Sequence, residues 1–436
     1  MLRRLQTLIE RGRARPLVLL AVVCVISVGA RAAWLGAPCH SPCRTASDHI
    51  LVFDERYYVN AARVIAGIRP PLGSPYADSP LGVDPNAEHP QLAKLVIAGS
   101  IELFGDGPLA WRLGSLVVGT LAIIGIFALV RAAGGRRRAA LLAAGLMAAD
   151  NLMVVHGRIG TLDVYALTAM VWAAALYLRG RPLLAGVVIG VGLCTKLVAV
   201  YVLLALALLE LLRWFRARER PIVRIFRLAG CSAMGAAVFL GLLAALDRIA
   251  PPYDDTARKL VGGGPLGHLG HMVSYAAHQT SPHGPRGIAS YPWGWLVDYK
   301  PITYLNVNPA RPTPGLYDVH PAVHFLGLIS PPILLLALPA LALAAASELR
   351  GRIGPERELM SLALAWFAGT FVPFVLLSVL WSRTSYLYYM VIVMPGLYVA
   401  AAWALTTINR WPRLTAVWVL LVIATAVVTY PLTPLP

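Results

Sequence analysis

The chain has 436 residues, of which 58% are hydrophobic and only 14% are charged, and its mean hydropathy is +0.67. A soluble protein of this size carries roughly a quarter charged residues, so this composition excludes a water-soluble fold and requires a surface that faces lipid. The net charge of +17 comes from 34 arginines and 4 lysines in short clusters between apolar runs, which is typical of membrane anchors and argues against a nucleic-acid partner.

The apolar runs predict the membrane-spanning helices, each of which needs roughly 20 residues. Nine runs qualify in chain order: 16–36, 109–130, 139–155, 163–178, 226–247, 321–346, 359–381, 385–408 and 412–430. The stretch 182–212 is basic at both ends, so a single span would place its basic ends on opposite faces of the bilayer. Two short spans meeting near Thr195–Lys196 keep both ends on one face, and they bring the predicted number of spans to 11.

The basic residues also predict the orientation of the spans. Six short links are assigned to the cytoplasm: 1–15, 131–138, 179–181, 213–227, 350–357 and 410–413. They hold 22 of the 38 Lys and Arg residues, whereas all 12 Asp residues fall on the other side or at an outer helix end. Because cytoplasmic loops carry the excess of Lys and Arg, the N-terminus is predicted to be cytoplasmic and the C-terminus extracytoplasmic. The Arg and Ala bias suggests a bacterial plasma membrane.

The predicted fold class is therefore an all-α polytopic membrane protein with one domain, 1–436, and two large extracytoplasmic loops at 37–108 and 248–320. The first span has an alternative interpretation as a cleaved signal peptide, because Ala30–Arg31–Ala32 resembles a cleavage site. Cys39 and Cys43 lie in the first outer loop, where the compartment permits a disulfide but does not require one.

Ionisable residues are nearly absent from the apolar runs and gather at their outer ends. Each one has a plain structural alternative as a helix cap, an interface anchor or an ion pair. The candidates for chemistry are Asp54, Glu55, His89, Lys94, Arg112, Arg158, Asp163 and Lys196. A polar site at a membrane surface suits a substrate with a lipid tail and a water-exposed head.

Five segments, in this order, resemble motifs of the protein O-mannosyltransferases, a family of the GT-C glycosyltransferase superfamily. They are FDERYY (53–58), HPQLAKL (89–95), AWRLGSLVVG (110–119), DNLMVVHGRIGTLD (150–163) and GLCTKL (192–197). The segment SYPWGW (290–295) is similar to the Pro-Trp-x-Trp-Pro loop of that family, with Leu296 in place of the last proline. HPQLAK also departs from the family's HPPLGK form, and no lumenal sugar-binding-like domain is inserted.

This resemblance implies transfer of a sugar, mannose by preference, from a polyprenyl-phosphate donor to a hydroxyl of exported proteins. The aminoarabinose transferases that modify lipid A share the Asp-Glu opening, so a lipid or envelope-glycan acceptor stays open. A polyprenyl-lipid transporter or flippase is the alternative from another class. Such transporters place charged groups at mid-membrane, which this sequence does not do. The oligomeric state is not predicted.

The resemblance also implies the roles of individual residues. Asp54 is expected to be the general base, with an unperturbed pKa of about 4. Glu55 either orients the acceptor or tunes Asp54. Arg112, Arg158 and Lys196 are expected to neutralise the leaving phosphate, and Asp163 is expected to pair with Arg158.

The remaining expected contacts to donor or acceptor are His89, Lys94, His271, Tyr291, Trp293 and Trp295. The two tryptophans have the alternative role of interface-belt aromatics. Since cations alone can neutralise a phosphate, no metal or other cofactor is expected. The histidines His268, His271, His278 and His283 are the weaker alternative of a metal site.

Overall fold

A computed structural model describes residues 15–40, 43–217, 221–307, 323–350, 356–407 and 412–432. Parts of the predicted cytoplasmic links 1–15, 213–227, 350–357 and 410–413 lie outside the described residues. The same holds for 308–320 of the second outer loop.

The described chain is mainly helical, as its composition predicts. Its α-helices are α1 (Arg15–Ala32), α2 (Glu55–Ile65), α3 (Leu92–Phe104), α4 (Pro108–Ala132), α5 (Arg137–Ala149), α6 (Asn151–His156), α7 (Asp163–Leu178), α8 (Pro182–Leu193), α9 (Tyr201–Ala217), α10 (Pro221–Ile249), α11 (Gly264–His278), α12 (Pro292–Trp295), α13 (Pro331–Leu349), α14 (Arg357–Trp381), α15 (Met390–Thr407) and α16 (Pro412–Val428). Short 3₁₀ helices cover Ala46–Asp48, Leu197–Val200 and Leu387–Tyr389.

Two small antiparallel sheets lie on the predicted outer side. Strands β1 (Tyr253–Asp254) and β2 (Lys259–Leu260) form a hairpin, with Tyr253 opposite Leu260. Strands β3 (Ile302–Val307) and β4 (Val323–Gly327) pair with Ile302 opposite Gly327 and an irregularity between Thr303 and Leu305.

The helices identify an integral membrane protein. Six described stretches are long and apolar enough to cross a bilayer by length and composition, and four shorter apolar helices accompany them. The predicted break near Thr195–Lys196 is present, because α8 ends at Leu193 and α9 begins only at Tyr201. The exact number of 11 spans stays a prediction.

Two of the predicted spans have different boundaries in the structure. The run 139–155 is divided at Asp150, whose extended backbone separates α5 from α6. The run 321–346 does not begin as a helix, because Val323–Gly327 forms strand β4 against β3. Helix α13 starts only at Pro331, where proline lies in the first helical turn and loses no hydrogen bond.

Helix α1 is bound into the bundle by a buried arginine. The Arg31 guanidinium donates to Thr120 Oγ1 at 2.8 Å and to the Leu116 and Gly157 carbonyl oxygens at 3.4 Å. A Cβ atom at Gly119 would lie 2.2 Å from Arg31 Nη1, so only glycine leaves room for this side chain. The residue that resembled part of a cleavage site is thus a packing element of α1, α4 and α6.

The centre of the bundle is formed by α7 and α15, whose side chains are almost all buried. Helix α15 contacts α5, α13 and α14, while α7 contacts α4 and α8. Both central helices are rich in alanine, which allows neighbouring helices to approach closely. The loops at the predicted outer ends of these helices surround the candidate site.

Candidate active site

A cavity of about 660 Å³ lies at the predicted outer side, and we call it the Asp54 cavity. It is enclosed by the start of α2, the 3₁₀ helices Leu197–Val200 and Leu387–Tyr389, and the end of α11. Its ionisable lining residues other than tyrosine are Asp54, Arg56, Glu88, His89, Lys196 and Arg383. Its tyrosine lining residues are Tyr57, Tyr58, Tyr76, Tyr201, Tyr275, Tyr304, Tyr386, Tyr388 and Tyr389.

Asp54 is placed in this cavity by the turn that begins α2. Phe53 adopts a positive φ of 57°, and Asp54 then occupies the N-cap position without capping the helix through its side chain. Within the described residues no hydrogen bond or ion pair reaches the Asp54 carboxylate. A carboxylate that faces a cavity and has no protein partner is available to a ligand.

Burial raises the pKa of the Asp54 carboxyl to about 6, with the positive charge of Lys196 opposing that rise. The value of about 4 expected from the sequence is therefore too low. At neutral pH the group is still mainly ionised, and a base whose pKa lies nearer to 7 accepts a proton more effectively.

Glu55 is the neighbour of Asp54 in sequence but has a different environment. Its carboxylate accepts both hydrogen bonds of Arg112, at 2.8 and 2.7 Å, and also accepts from the backbone N–H groups of Gly160 and Val52 at 2.7 Å. The side chain is fully buried and does not line the Asp54 cavity. Glu55 thus joins α2 to α4 and to the link before α7.

The Arg112 guanidinium donates its hydrogen bonds to groups of the protein. Besides the ion pair with Glu55, it donates to the carbonyl oxygens of Leu35, Ala37 and Ile50. It is buried and does not line the Asp54 cavity. The geometry therefore places Arg112 where it holds the first outer loop and where a phosphate in the cavity cannot reach it.

The expected pairing of Asp163 with Arg158 is wrong. Asp163 Oδ1 lies 2.7 Å from Lys196 Nζ, and both side chains are buried. The break between α8 and α9 turns Lys196 towards the start of α7, where Asp163 is the first helical residue. Lys196 also lies 5.3 Å from the ring centre of Tyr388 and lines the cavity.

Arg158 does not line the Asp54 cavity. Its guanidinium donates to the carbonyl oxygens of Ala33 and Trp34 at 3.0 and 3.2 Å, and to the Tyr430 hydroxyl at 3.3 Å. It also lies over the Phe325 ring at 5.5 Å. Arg158 therefore ties the end of α1 to the end of the chain and does not face a ligand.

The HPQLAKL segment contributes one residue to the cavity lining and another to the packing beneath the loop. His89 lines the cavity, and burial together with the nearby charges of Lys196 and Lys94 holds its pKa well below the usual range, so its ring is neutral. Lys94 is buried beneath the loop, 2.5 Å from Asp84, and donates to the carbonyl oxygens of Asn86 and His89. Lys94 thus shapes the loop that presents His89.

The two tryptophans of SYPWGW have different environments. Trp295 is 1% exposed, donates to Ser290 Oγ at 2.9 Å and packs against Phe374. Trp293 is 49% exposed and stacks on Tyr291, with ring centres 4.4 Å apart. The interpretation of Trp295 as a sugar-stacking or interface residue is therefore wrong, because its ring belongs to the core.

Neither Trp293 nor Tyr291 lines the Asp54 cavity, and His271 does not line it either. His271 lies on α11, one turn after His268, which is buried and bonds to Asp247 at 2.8 Å. The histidines of this segment thus do not form one cluster, because His268 is buried in a hydrogen bond with Asp247 whereas His278 and His283 are exposed.

Arg383 is one of the charged cavity-lining residues, with Arg56 and Glu88, that are absent from the sequence candidates. It lines the Asp54 cavity between α14 and the 3₁₀ helix Leu387–Tyr389, and it donates to the Ala276 carbonyl oxygen. The available signal was its place as the one basic residue in a short outer link. The segment YLYY (386–389) begins three residues later and supplies three of the lining tyrosines.

Among the described residues, the one group that could hold a metal ion by proximity is Cys39, Cys43 and His49. The two cysteines are joined in a disulfide, which resolves the alternative left open by the sequence. This group does not line the Asp54 cavity.

Residues 88–244 match the family model of dolichyl-phosphate-mannose-protein mannosyltransferases. Over this segment the match supports the resemblance to the protein O-mannosyltransferases that the sequence motifs indicate. A polyprenol-phosphate-mannose–protein mannosyltransferase of Corynebacterium glutamicum is 35% identical over 127 residues. That alignment spans 28% of this chain and 24% of the relative, so most of the relative has no counterpart in the match.

Two solved structures show the same fold as this chain. The S. cerevisiae protein O-mannosyltransferase Pmt1-Pmt2 complex bound to the sugar donor matches with a TM-score of 0.70 at 12% identity, over 96% of this chain and 90% of that chain. ArnT from Cupriavidus metallidurans bound to undecaprenyl phosphate matches with a TM-score of 0.55 at 19% identity, over 92% of this chain and 62% of that chain. The predicted GT-C fold is therefore confirmed.

Proposed function

We propose that this chain transfers a sugar, mannose by preference, from a polyprenyl-phosphate donor to a hydroxyl acceptor on the extracytoplasmic face of the membrane. The observation that carries the proposal is the Asp54 cavity itself. It contains an unpaired carboxylate, Asp54, together with the cations Lys196 and Arg383. Sugar transfer from a phosphate needs these two kinds of group: a base for the incoming hydroxyl and positive charge for the leaving oxygen.

In the proposed reaction the Asp54 carboxylate accepts the proton of the acceptor hydroxyl. The hydroxyl oxygen bonds to the anomeric carbon of the sugar, and the bond from that carbon to the phosphate oxygen breaks. The electron pair leaves with polyprenyl phosphate, whose charge is neutralised by Lys196 and Arg383. Because the leaving group is a phosphate and two cations face it, we propose that no metal ion is needed.

The sugar and donor are inferred from the relatives. The C. glutamicum protein is named for polyprenol-phosphate-mannose, and the yeast complex holds its sugar donor. The position of the cavity at the outer helix ends supports a lipid-linked donor whose tail stays in the bilayer. The basic links at the opposite end support an extracytoplasmic site, with a cytoplasmic N-terminus.

We propose Ser or Thr of exported proteins as the acceptor, since the matched family consists of protein mannosyltransferases. The fold shared with ArnT favours a second candidate, a lipid or envelope-glycan acceptor. The two candidates differ only in the acceptor, so product mass distinguishes them once donor turnover is established.

The test is single-turnover release of sugar from radiolabelled polyprenyl-phosphate-mannose in nanodiscs, with EDTA present. Wild type is expected to consume the donor, and Asp54→Asn is expected to do so at least about a hundredfold more slowly. Asp78→Asn is the matched control, because Asp78 does not line the cavity. The proposal would be overturned in favour of a transporter if the donor were only bound or moved across the bilayer unchanged, and if Asp54→Asn behaved like wild type.

A further inference from the structure

A second cavity lies at the opposite end of the helix bundle, where α4, α7 and α9 end and α10 and α14 begin. Its volume is about 520 Å³, and we call it the inner cavity. Its charged lining residues are Glu210, Arg213, Arg224, Arg227 and Glu358. The charge pattern predicts this end to be cytoplasmic.

The three arginines of the inner cavity are not equivalent. Arg213 pairs with Glu210 at 2.8 Å and also with Glu358, so its charge is compensated. Within the part of the chain that the structure describes, Arg224 bonds to Glu210 at 3.2 Å, and Arg227 donates to the Tyr177 carbonyl oxygen at 3.0 Å. Each guanidinium has five N–H donors, so Arg224 and Arg227 keep donors for a further partner.

The positions of Arg224 and Arg227 suit one shared ligand. They are three residues apart on α10, so they lie on the same helix face, and both line the cavity while remaining part-exposed. Three arginines face two glutamates here, which leaves the lining with a net positive charge. Arginine binds phosphate oxygens through parallel hydrogen bonds, which makes phosphate the natural anion for this pair.

The surroundings of the inner cavity are those of a lipid interface. On the same first turns of α10, Ile222, Val223 and Phe226 are exposed, and Val223 also lines the cavity. A lipid therefore has a place for its acyl chains beside the place for its phosphate. Basic pockets between helices on the cytoplasmic side bind such headgroups, since that leaflet is rich in anionic lipid.

We propose that the inner cavity binds the phosphate-bearing headgroup of an anionic membrane lipid through Arg224 and Arg227. This site is separate from the Asp54 cavity and does not depend on the transfer reaction. A bound headgroup would link the start of α10 to the ends of α4 and α7.

The test is native mass spectrometry of the purified full chain, titrated with phosphatidylglycerol or with phosphatidylcholine of the same acyl chains. Wild type is expected to retain phosphatidylglycerol preferentially, and Arg224→Gln/Arg227→Gln is expected to bind it at least about tenfold more weakly. Arg138→Gln is the control for loss of a surface charge, because Arg138 is exposed at the same end but does not line the cavity. It is expected to behave like wild type.

A second variant keeps the charges and fills the space. Ala132 lines the inner cavity, and Ala132→Leu is expected to weaken phosphatidylglycerol binding even if the double arginine variant does not fold. Equal retention of both lipids by wild type would overturn the proposal, and so would an equal loss in Arg138→Gln. Saturable thermal stabilisation by inorganic phosphate, without preference for phosphatidylglycerol, would assign the site to a soluble anion and overturn the lipid assignment.

Discussion

Glu55 and Arg112 form a buried ion pair with two parallel hydrogen bonds, 57 residues apart in sequence, and Glu55 directly follows Asp54 in the chain. The pair fixes the start of α2 against α4, while the neighbouring Asp54 carboxylate faces the cavity. Two adjacent acids of one motif therefore have different environments: Glu55 is paired with Arg112, and the Asp54 carboxylate has no hydrogen-bond or ion-pair partner among the described residues.

Replacing Glu55 is expected to destabilise the fold. Glu55→Gln leaves the Arg112 guanidinium buried without a counter-charge, and removal of one partner from such a pair reduces the free energy of unfolding by about 3–5 kcal/mol. Thermal unfolding in detergent checks this, with the exposed Glu102→Gln as control. A Glu55→Gln variant with wild-type stability and Asp54→Asn-like inactivity would instead assign chemistry to Glu55.

The pH dependence of transfer is expected to report Asp54. Because burial raises the pKa of this carboxyl to about 6, the reactive ionised form is complete above that pH and is lost as the pH falls through it. We expect kcat/KM to be level above about pH 7 and to fall about tenfold per unit below pH 6. A profile that stays level down to about pH 4.5 would show that another group is the base.

Two neighbouring charges are expected to shift the acid limb of the profile, the fall of kcat/KM at low pH, in opposite directions. The Lys196 cation lowers the pKa of Asp54 and the Asp163 anion raises it. Lys196→Met should therefore move the limb to higher pH, and Asp163→Asn should move it to lower pH. The pH profiles of the two variants provide the measurement, and the exposed Lys259→Met is expected to leave the limb in place. Shifts of the same sign in both variants would contradict this electrostatic account.

Arg383 is expected to bind the donor phosphate. Arg383→Gln should weaken binding of polyprenyl phosphate roughly tenfold, because a charge-assisted hydrogen bond is lost. Competition with labelled donor measures this loss. Arg286→Gln, an exposed arginine outside the cavity, serves as control. Equal affinity in wild type and Arg383→Gln would remove Arg383 from the site.

Replacements of the two tryptophans of SYPWGW are expected to differ in their effect on the stability of the protein. Trp295→Ala leaves a cavity in the packing against Phe374 and should reduce the free energy of unfolding by about 3–5 kcal/mol. Trp293→Ala removes a half-exposed ring and should change it by less than about 1 kcal/mol. The thermal unfolding midpoints of the two variants provide the measurement. Equal losses of stability in both variants would contradict the different burial of the rings.

Much of the fold was predictable because it rests on local properties. Apolar runs define spanning helices wherever they occur, and the break near Lys196 followed from basic residues at both ends of one run. Strand β4 was not predictable from hydropathy, since its sequence VHFLG is as apolar as that of a spanning helix. The segment becomes a strand only by pairing with β3. Such pairing depends on contacts between segments that are distant in sequence.

The candidate site was predictable in part. The motif order identified Asp54, His89 and Lys196, which line the cavity, but it could not separate them from Glu55, Lys94 and Arg112, which support it. Charged residues at outer helix ends look alike in sequence whether they face a ligand or a buried partner. Arg383 carried no motif and was therefore missed.

By itself, the sequence determined that this chain is a helical membrane protein with its polar residues at one interface, because hydropathy and charge act residue by residue. Only the tertiary structure decided which cation meets which carboxylate. Lys196 rather than Arg158 meets Asp163, and Glu55 rather than Asp54 is neutralised by Arg112. The physical reason is that an ion pair needs approach to about 4 Å or less, and only the packing of the helices brings two such groups that close.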